Sequence, residues 1–193
     1  MDGISYVGEH LLPGVLGNIF ISLSFVAALL ATVSFYLSEK NGQDKGWKQI
    51  GVVAFRAHSL AVFGIIGTLF VILSQHYFEY HYAWQHSSSK MPMRYLLSCF
   101  WEGQEGSFLL WIFWQLILGT ILCIKRTAWT REVMSVFCLI QVFLTSMVIG
   151  VYIGDYHIGS SPFLLFREAV PDMPLFSRAD YLSFITDGNG LNP

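Results

Sequence analysis

The chain has 193 residues, 54% of them hydrophobic and 12% charged, and a formal net charge of -2. A soluble domain carries nearer a quarter charged residues, so these apolar runs call for lipid rather than water as their solvent. The slightly negative balance offers no basic stripe to displace phosphate counterions, which argues against a nucleic-acid partner.

The first 14 residues contain Asp2 and Glu9 and no Lys or Arg. An apolar run from Val15 to Leu37 follows, with the positive charges behind it. That is the pattern of an N-out anchor rather than of a cleavable signal peptide. Ser38 to Arg56 then carries Lys40, Lys45, Lys48 and Arg56. A second run, Ala57 to Phe78, is free of Asp, Glu, Lys and Arg; His58 lies within it, and His76 stands at its outer end. Standing beside Arg56 near the inner interface, His58 reads as a hydrogen-bonded or snorkelling side chain.

Tyr77, Phe78, Tyr80, Tyr82 and Trp84 stand where the second run would leave the bilayer, as an interfacial aromatic belt does. His76, His81 and His86 are spaced by five, which turns each about 140° from the last on a helix, so one compact metal site is disfavoured. No zinc, nucleotide or Ser-His-Asp signature is present, and no metal ligand or catalytic residue is assigned.

Two further runs, Ser107 to Ile124 and Val133 to Gly154, flank a loop bearing Lys125, Arg126 and Arg131. Crossing a hydrocarbon core takes about 20 helical residues, and an open sheet edge in lipid would leave backbone groups unpaired. The expectation is therefore an all-α integral membrane fold with four spans near 15–37, 57–78, 107–124 and 133–154. These form one transmembrane domain, 1–154, followed by an outer-face tail, 155–193. The two loops assigned to the inside hold seven of the 11 Lys and Arg, so both chain ends and the long loop Glu79 to Gly106 are expected outside. Pro162, Pro171 and Pro174 break the tail into a surface-lying or protein-packed segment. Cys99, Cys123 and Cys138 form no C-x-x-C pair, and the last two lie in apolar runs as small buried hydrophobes.

The densest feature is Trp101-Glu102-Gly103-Gln104-Glu105-Gly106-Ser107 leading to Trp111. As a helix entry, its acids favour the positive end of the helix dipole and its glycines permit a tight turn. If the helix reached back to Trp101, the two indoles would share roughly one face, suited to a planar macrocycle, a partner helix or an ordinary core.

These residues, with Leu109 and Leu110, resemble the W-G-G-x-E-G-S-x-L-L-W segment of CcmF/CcsA-type cytochrome c biogenesis proteins, a heme-handling family; Glu102 stands where the family pattern has glycine. Ser87, Ser88, Met91, Pro92 and Tyr95 are similar to its N-S-N-x-x-L-P-x-x-Y-K stretch. Ser160-Ser161-Pro162-Phe163 matches S-N-P-F, and Asp187 to Pro193 matches D-G-x-G-L-N-P. The matches keep family order along most of the chain.

The resemblance implies a multi-pass protein of the bacterial inner membrane, its long loop and tail in the periplasm, that handles heme and supports its covalent attachment to the C-x-x-C-H thiols of apocytochrome c. Other cytochrome c maturation proteins, a heme chaperone or donor, apocytochrome c and the lipid bilayer are the implied partners. The family's heme-ligating histidines and W-W-D segment follow L-N-P, so a fragment or truncated product is expected and no heme ligand is transferred. Trp101, Glu102, Gly103, Glu105, Gly106, Ser107 and Trp111 are the residues expected to support the heme platform. A b-type heme electron-transfer subunit, motivated by six histidines, and a non-catalytic scaffold or transporter module, motivated by the polar loop and by Gln115 and Gln141, are the alternatives.

Overall fold

The computed structural model describes residues 5–125, 127, 129–154 and 156–190, with the side chains of 152, 153 and 157 outside that description. Asp2, Arg126, Asp155 and the motif residues Leu191, Asn192 and Pro193 also lie outside the described residues. Among the described residues four helices are long and apolar enough to cross a membrane: α1 (Leu11–Lys40), α2 (Lys45–Ser74), α5 (Gln104–Lys125) and α6 (Thr130–Ile149). Short helices α3 (His81–His86) and α4 (Met93–Cys99) fill the long loop. After α6 come a small antiparallel hairpin, β1 (Val151–Ile153) with β2 (Tyr156–Ile158), then α7 (Phe166–Ala169) and two 3-10 turns at Pro174–Ser177 and Tyr181–Phe184.

Helix boundaries differ from the charge-free runs for local reasons. The α2 helix begins at Lys45, because the Asp44 carboxylate accepts from Gly46 N at 2.6 Å and Trp47 N at 3.2 Å, closing the first turn well before the last inner-loop charge. Its far end stops at Ser74; Gln75 to Phe78, the end of the charge-free run, leave the helix, with His76 in the left-handed region at φ 54°. Gly150, at φ 79°, ends α6 before the hairpin.

Helix α1 packs along α2 and α6, and α5 packs chiefly on α6. One apolar cluster fills the half of the bundle nearest α3 and α4, through Ile21, Val62, Leu69, Ile112 and Val148. A second, around Phe35, Phe55, Met134 and Cys138, fills the other half. A third, around Phe166, Phe176 and Tyr181, belongs to a cap formed by the long loop and the tail. The tail is thus protein-packed.

Polar groups link the helices at mid-bundle. His58 is fully buried; it is not beside an interface where a side chain can snorkel, because its helix begins a dozen residues earlier. Its Nδ1 lies 3.0 Å from the Ser24 carbonyl and 2.9 Å from Ser24 Oγ on α1. Buried Gln141 on α6 donates from Nε2 to the Ile112 carbonyl on α5 at 3.0 Å. Hydrogen bonds between helices in lipid contribute about 0.6 kcal/mol on average and reach about 1.7. Gln141→Leu removes the α5 link while leaving the Ile112 carbonyl its own helical partner. A loss of about 1 kcal/mol is expected in reversible unfolding in bicelles, and unchanged or increased stability would refute the link.

Candidate functional site

The W-E-G-Q-E-G-S segment forms the turn between α4 and α5, and its glycines answer to a side chain from earlier in the chain. Tyr82, on α3, runs beneath the turn, and its hydroxyl donates to the Cys99 carbonyl at 2.8 Å with the Phe100 carbonyl at 3.2 Å. A Cβ on Gly106 would collide with the Phe100 carbonyl and the Tyr82 hydroxyl; one on Gly103 would stand 2.7 Å from the Tyr82 ring and 2.8 Å from His86 Nε2. Both glycines are therefore required by close approach. Ser107 closes the turn, its N–H donating to the Gly103 carbonyl at 3.0 Å and its hydroxyl to the Trp101 carbonyl at 3.1 Å.

Because α5 begins at Gln104, Trp101 sits in the turn, so the two indoles do not share a continuous helical face. Trp101, about half exposed, joins Phe63, Phe70, Leu97, Leu109 and Phe113 around an apolar groove of about 470 Å³ between α2, α4 and α5. Trp111 is exposed and lies outside that lining, edge-on to Phe108. Among the described residues that line it, the groove offers flat walls and no imidazole, thiolate or thioether.

Behind the turn, Glu102 Oε2 lies 3.8 Å from His86 Nδ1, with both side chains largely buried. Burial lowers the His81 pKa, and the nearby Glu105 carboxylate partly opposes that shift. The structure thus gathers His81, His86, Glu102 and Glu105 near one turn, although helical spacing separates the two histidines. Among the described residues no group of three or more His, Cys, Asp or Glu is arranged to hold a metal ion. Cys99 donates to Met91 Sδ and the Tyr95 carbonyl, each at 3.4 Å, and burial pushes its thiol up to about 11, which suits packing and not nucleophilic attack.

The remaining motif segments meet in the cap. Phe163 lays its ring on the bare backbone of Gly17, and Ser161 Oγ donates to Asn18 Oδ1 at 2.8 Å. Asp187 receives the Ser89 N–H at 2.7 Å and the Ser88 hydroxyl at 3.1 Å, while Asn189 N–H reaches the Trp84 carbonyl at 2.7 Å. The supposed aromatic belt is instead interior. Tyr80 and Tyr82 are buried, and the Tyr80 hydroxyl donates to the His10 carbonyl at 2.6 Å and accepts the Gly14 N–H at 2.8 Å, with its pKa raised to about 12 chiefly by burial. The sequence reading also missed two acids. Glu9 binds Arg167 at 2.9 Å and the Tyr181 hydroxyl at 2.7 Å, and Glu79 binds His10.

No protein-family model matches the chain. The cytochrome c-type biogenesis protein CcmF of Haemophilus influenzae is 28% identical over 182 residues, which is 92% of this chain and 24% of that protein. A solved structure of a cytochrome c heme lyase CcmF has a TM-score of 0.62 and 25% sequence identity, covering 77% of this chain and 25% of its own. The chain spans about a quarter of the length of these relatives.

Backbone donation from Ser89 holds the Asp187 pKa below the ordinary carboxylate range. The stability it contributes is present above the unfolded aspartate value and lost as pH falls through the lower folded value. Protease cleavage within residues 174–190 is expected to rise only on acidification below the usual aspartate range, and Asp187→Ala is expected to show the same cleavage at pH 7. A protected segment in that variant at neutral pH would remove Asp187 from this role.

Proposed function

We propose that this chain, a CcmF-type cytochrome c biogenesis protein by sequence and fold over about a quarter of its relatives' length, braces a heme platform from its capped end and supports attachment of heme to apocytochrome c. The observation that carries this reading is the Trp101 turn. Two glycines, Ser107 and the Tyr82 hydroxyl hold the turn, and it presents an indole at the rim of an apolar groove.

The chemistry fits the role. Attaching heme vinyl groups to two thiols depends on holding ring and peptide in register, and rigid apolar walls supply orientation without competing for the iron. Trp101 and its aromatic neighbours offer such walls. Gly103, Gly106 and Ser107 hold the turn in place, while the Glu102 and Glu105 carboxylates set the charge around His86 and His81 behind it. Trp111 would take part only through a partner placed on the exposed face of α5. The lysines and arginines at the opposite end favour a cap facing the periplasm of a bacterial inner membrane. Heme donors, other maturation proteins and the apocytochrome would approach from that side.

Trp101→Ala in the protein as the cell makes it is expected to lower heme occupancy or cytochrome c attachment several-fold while membrane levels stay normal. Gly106→Ala, which forces the turn apart, is expected to reduce the protein itself. Normal abundance with normal attachment after changing Trp101 and Glu105 together would refute a functional role for the segment.

A further inference from the structure

The groove below Trp101 runs down the membrane-spanning part of the fold. At 1.5 Å per helical residue, Phe63 stands about 16 Å below the Ser74 end of α2, and Phe113 about 14 Å below the Gln104 start of α5. Half of a hydrocarbon core of about 30 Å is about 15 Å, so the groove spans the depth of one leaflet, from the capped end to mid-bilayer. Phe63 and Phe70 are exposed along its edge, and it therefore opens sideways to lipid. Among the described residues that line it, every side chain is aliphatic or aromatic.

Gly67 lines this groove for a reason that no contact within the chain supplies. A Cβ on Gly64 would stand 2.7 Å from the Phe20 ring and one on Gly119 2.7 Å from the Phe55 ring, so packing demands those two glycines. A Cβ on Gly67 would meet nothing within 4 Å. Glycine inside a helix costs stability relative to alanine, and what its absent side chain leaves at Gly67 is depth in the groove. A cation stands at the capped end. Leu97 lines the groove, and Arg94, one turn earlier on the same face of α4, is exposed with its guanidinium 5.0 Å over the Tyr95 ring. An apolar slot one leaflet deep with a guanidinium beside its mouth complements a phospholipid, hydrocarbon inward and phosphate outward. We propose that the groove holds one acyl chain of a phospholipid from the leaflet at the capped end, with Arg94 on its phosphate and Gly67 keeping the slot open. The chain supports the Trp101 indole from the membrane side. This goes beyond the heme-bracing reading and stands without it.

The test is photo-crosslinking of the full chain in nanodiscs of phosphatidylethanolamine and phosphatidylglycerol, doped with a phosphatidylglycerol that carries a diazirine on one acyl chain. Adducts are mapped by peptide mass spectrometry. Wild-type adducts are expected on residues 63–70 and 97–113 at several times the level on α6, where Val136, Leu139 and Phe143 are exposed but lie outside the groove. Gly67→Leu, whose side chain enters open space, is expected to cut the groove adducts several-fold while α6 labelling and protease resistance of the cap stay at wild-type levels. Arg94→Gln is expected to lower the groove adducts with α6 labelling unchanged. Groove labelling no higher than that of α6 in the wild type, or unchanged by Gly67→Leu, would overturn the proposal. Cross-links to a second copy of the chain in place of lipid adducts would also overturn it. Unchanged labelling in Arg94→Gln would overturn the phosphate contact. Each of these results leaves the heme-bracing reading to its own Trp101 test.

Discussion

The cap's position depends on two rings resting on bare helix backbone. Tyr80 and Phe163, far apart in sequence, both pack where Gly14 and Gly17 leave α1 without side chains. Any larger residue at either glycine would meet the ring face. The Tyr80 hydroxyl does more than fill space: it supplies a partner for an N–H in the first turn of a helix that lacks a side-chain cap. Once Tyr80 is seated, the short path to Tyr82 sets where that second hydroxyl lies, and the Tyr82 hydroxyl anchors the turn carrying Trp101.

The two ends of the bundle are consequently unlike. One has short connections rich in lysine and arginine, with Asp44 capping α2. The other carries a layer of buried tyrosines and acids, each tied to backbone, to a cation or to one another, above an apolar groove. Burying Glu9 and Glu79 without partners would cost several kcal/mol; Arg167, the Tyr181 hydroxyl and His10 satisfy them. A layer so fully bonded is suited to holding a ligand in fixed register, as the proposed heme role requires.

Four long apolar helices were legible because bilayer thickness imposes a length that composition reveals. Their ends were less legible, because Asp44 and Gly150 act through local backbone geometry that hydropathy does not register. The Trp101 segment stood out by composition, yet the reason for its glycines was hidden, since Tyr82 arrives from about 20 residues earlier. The tyrosines after α2 looked like an interfacial belt because the sequence does not show that their hydroxyls find carbonyl partners inside. Spacing argued His81 and His86 apart; the turn that returns over α3 brings Glu102 near His86 and Glu105 near His81. The likeness of Ser87, Ser88 and Asp187 to family motifs was readable, but that the two segments bind each other was not.

The account turns on which side of the membrane the cap faces, and site-directed labelling measures that most directly. Lys90, exposed in the cap and clear of the Asp187 contacts, and Gln43, exposed at the opposite end, can each carry a single cysteine in a chain whose native thiols are replaced. A membrane-impermeant maleimide added to intact spheroplasts should label Lys90→Cys and spare Gln43→Cys until the membrane is opened. Labelling of Gln43→Cys alone in intact spheroplasts would put the cap in the cytoplasm and contradict the proposed heme-bracing role.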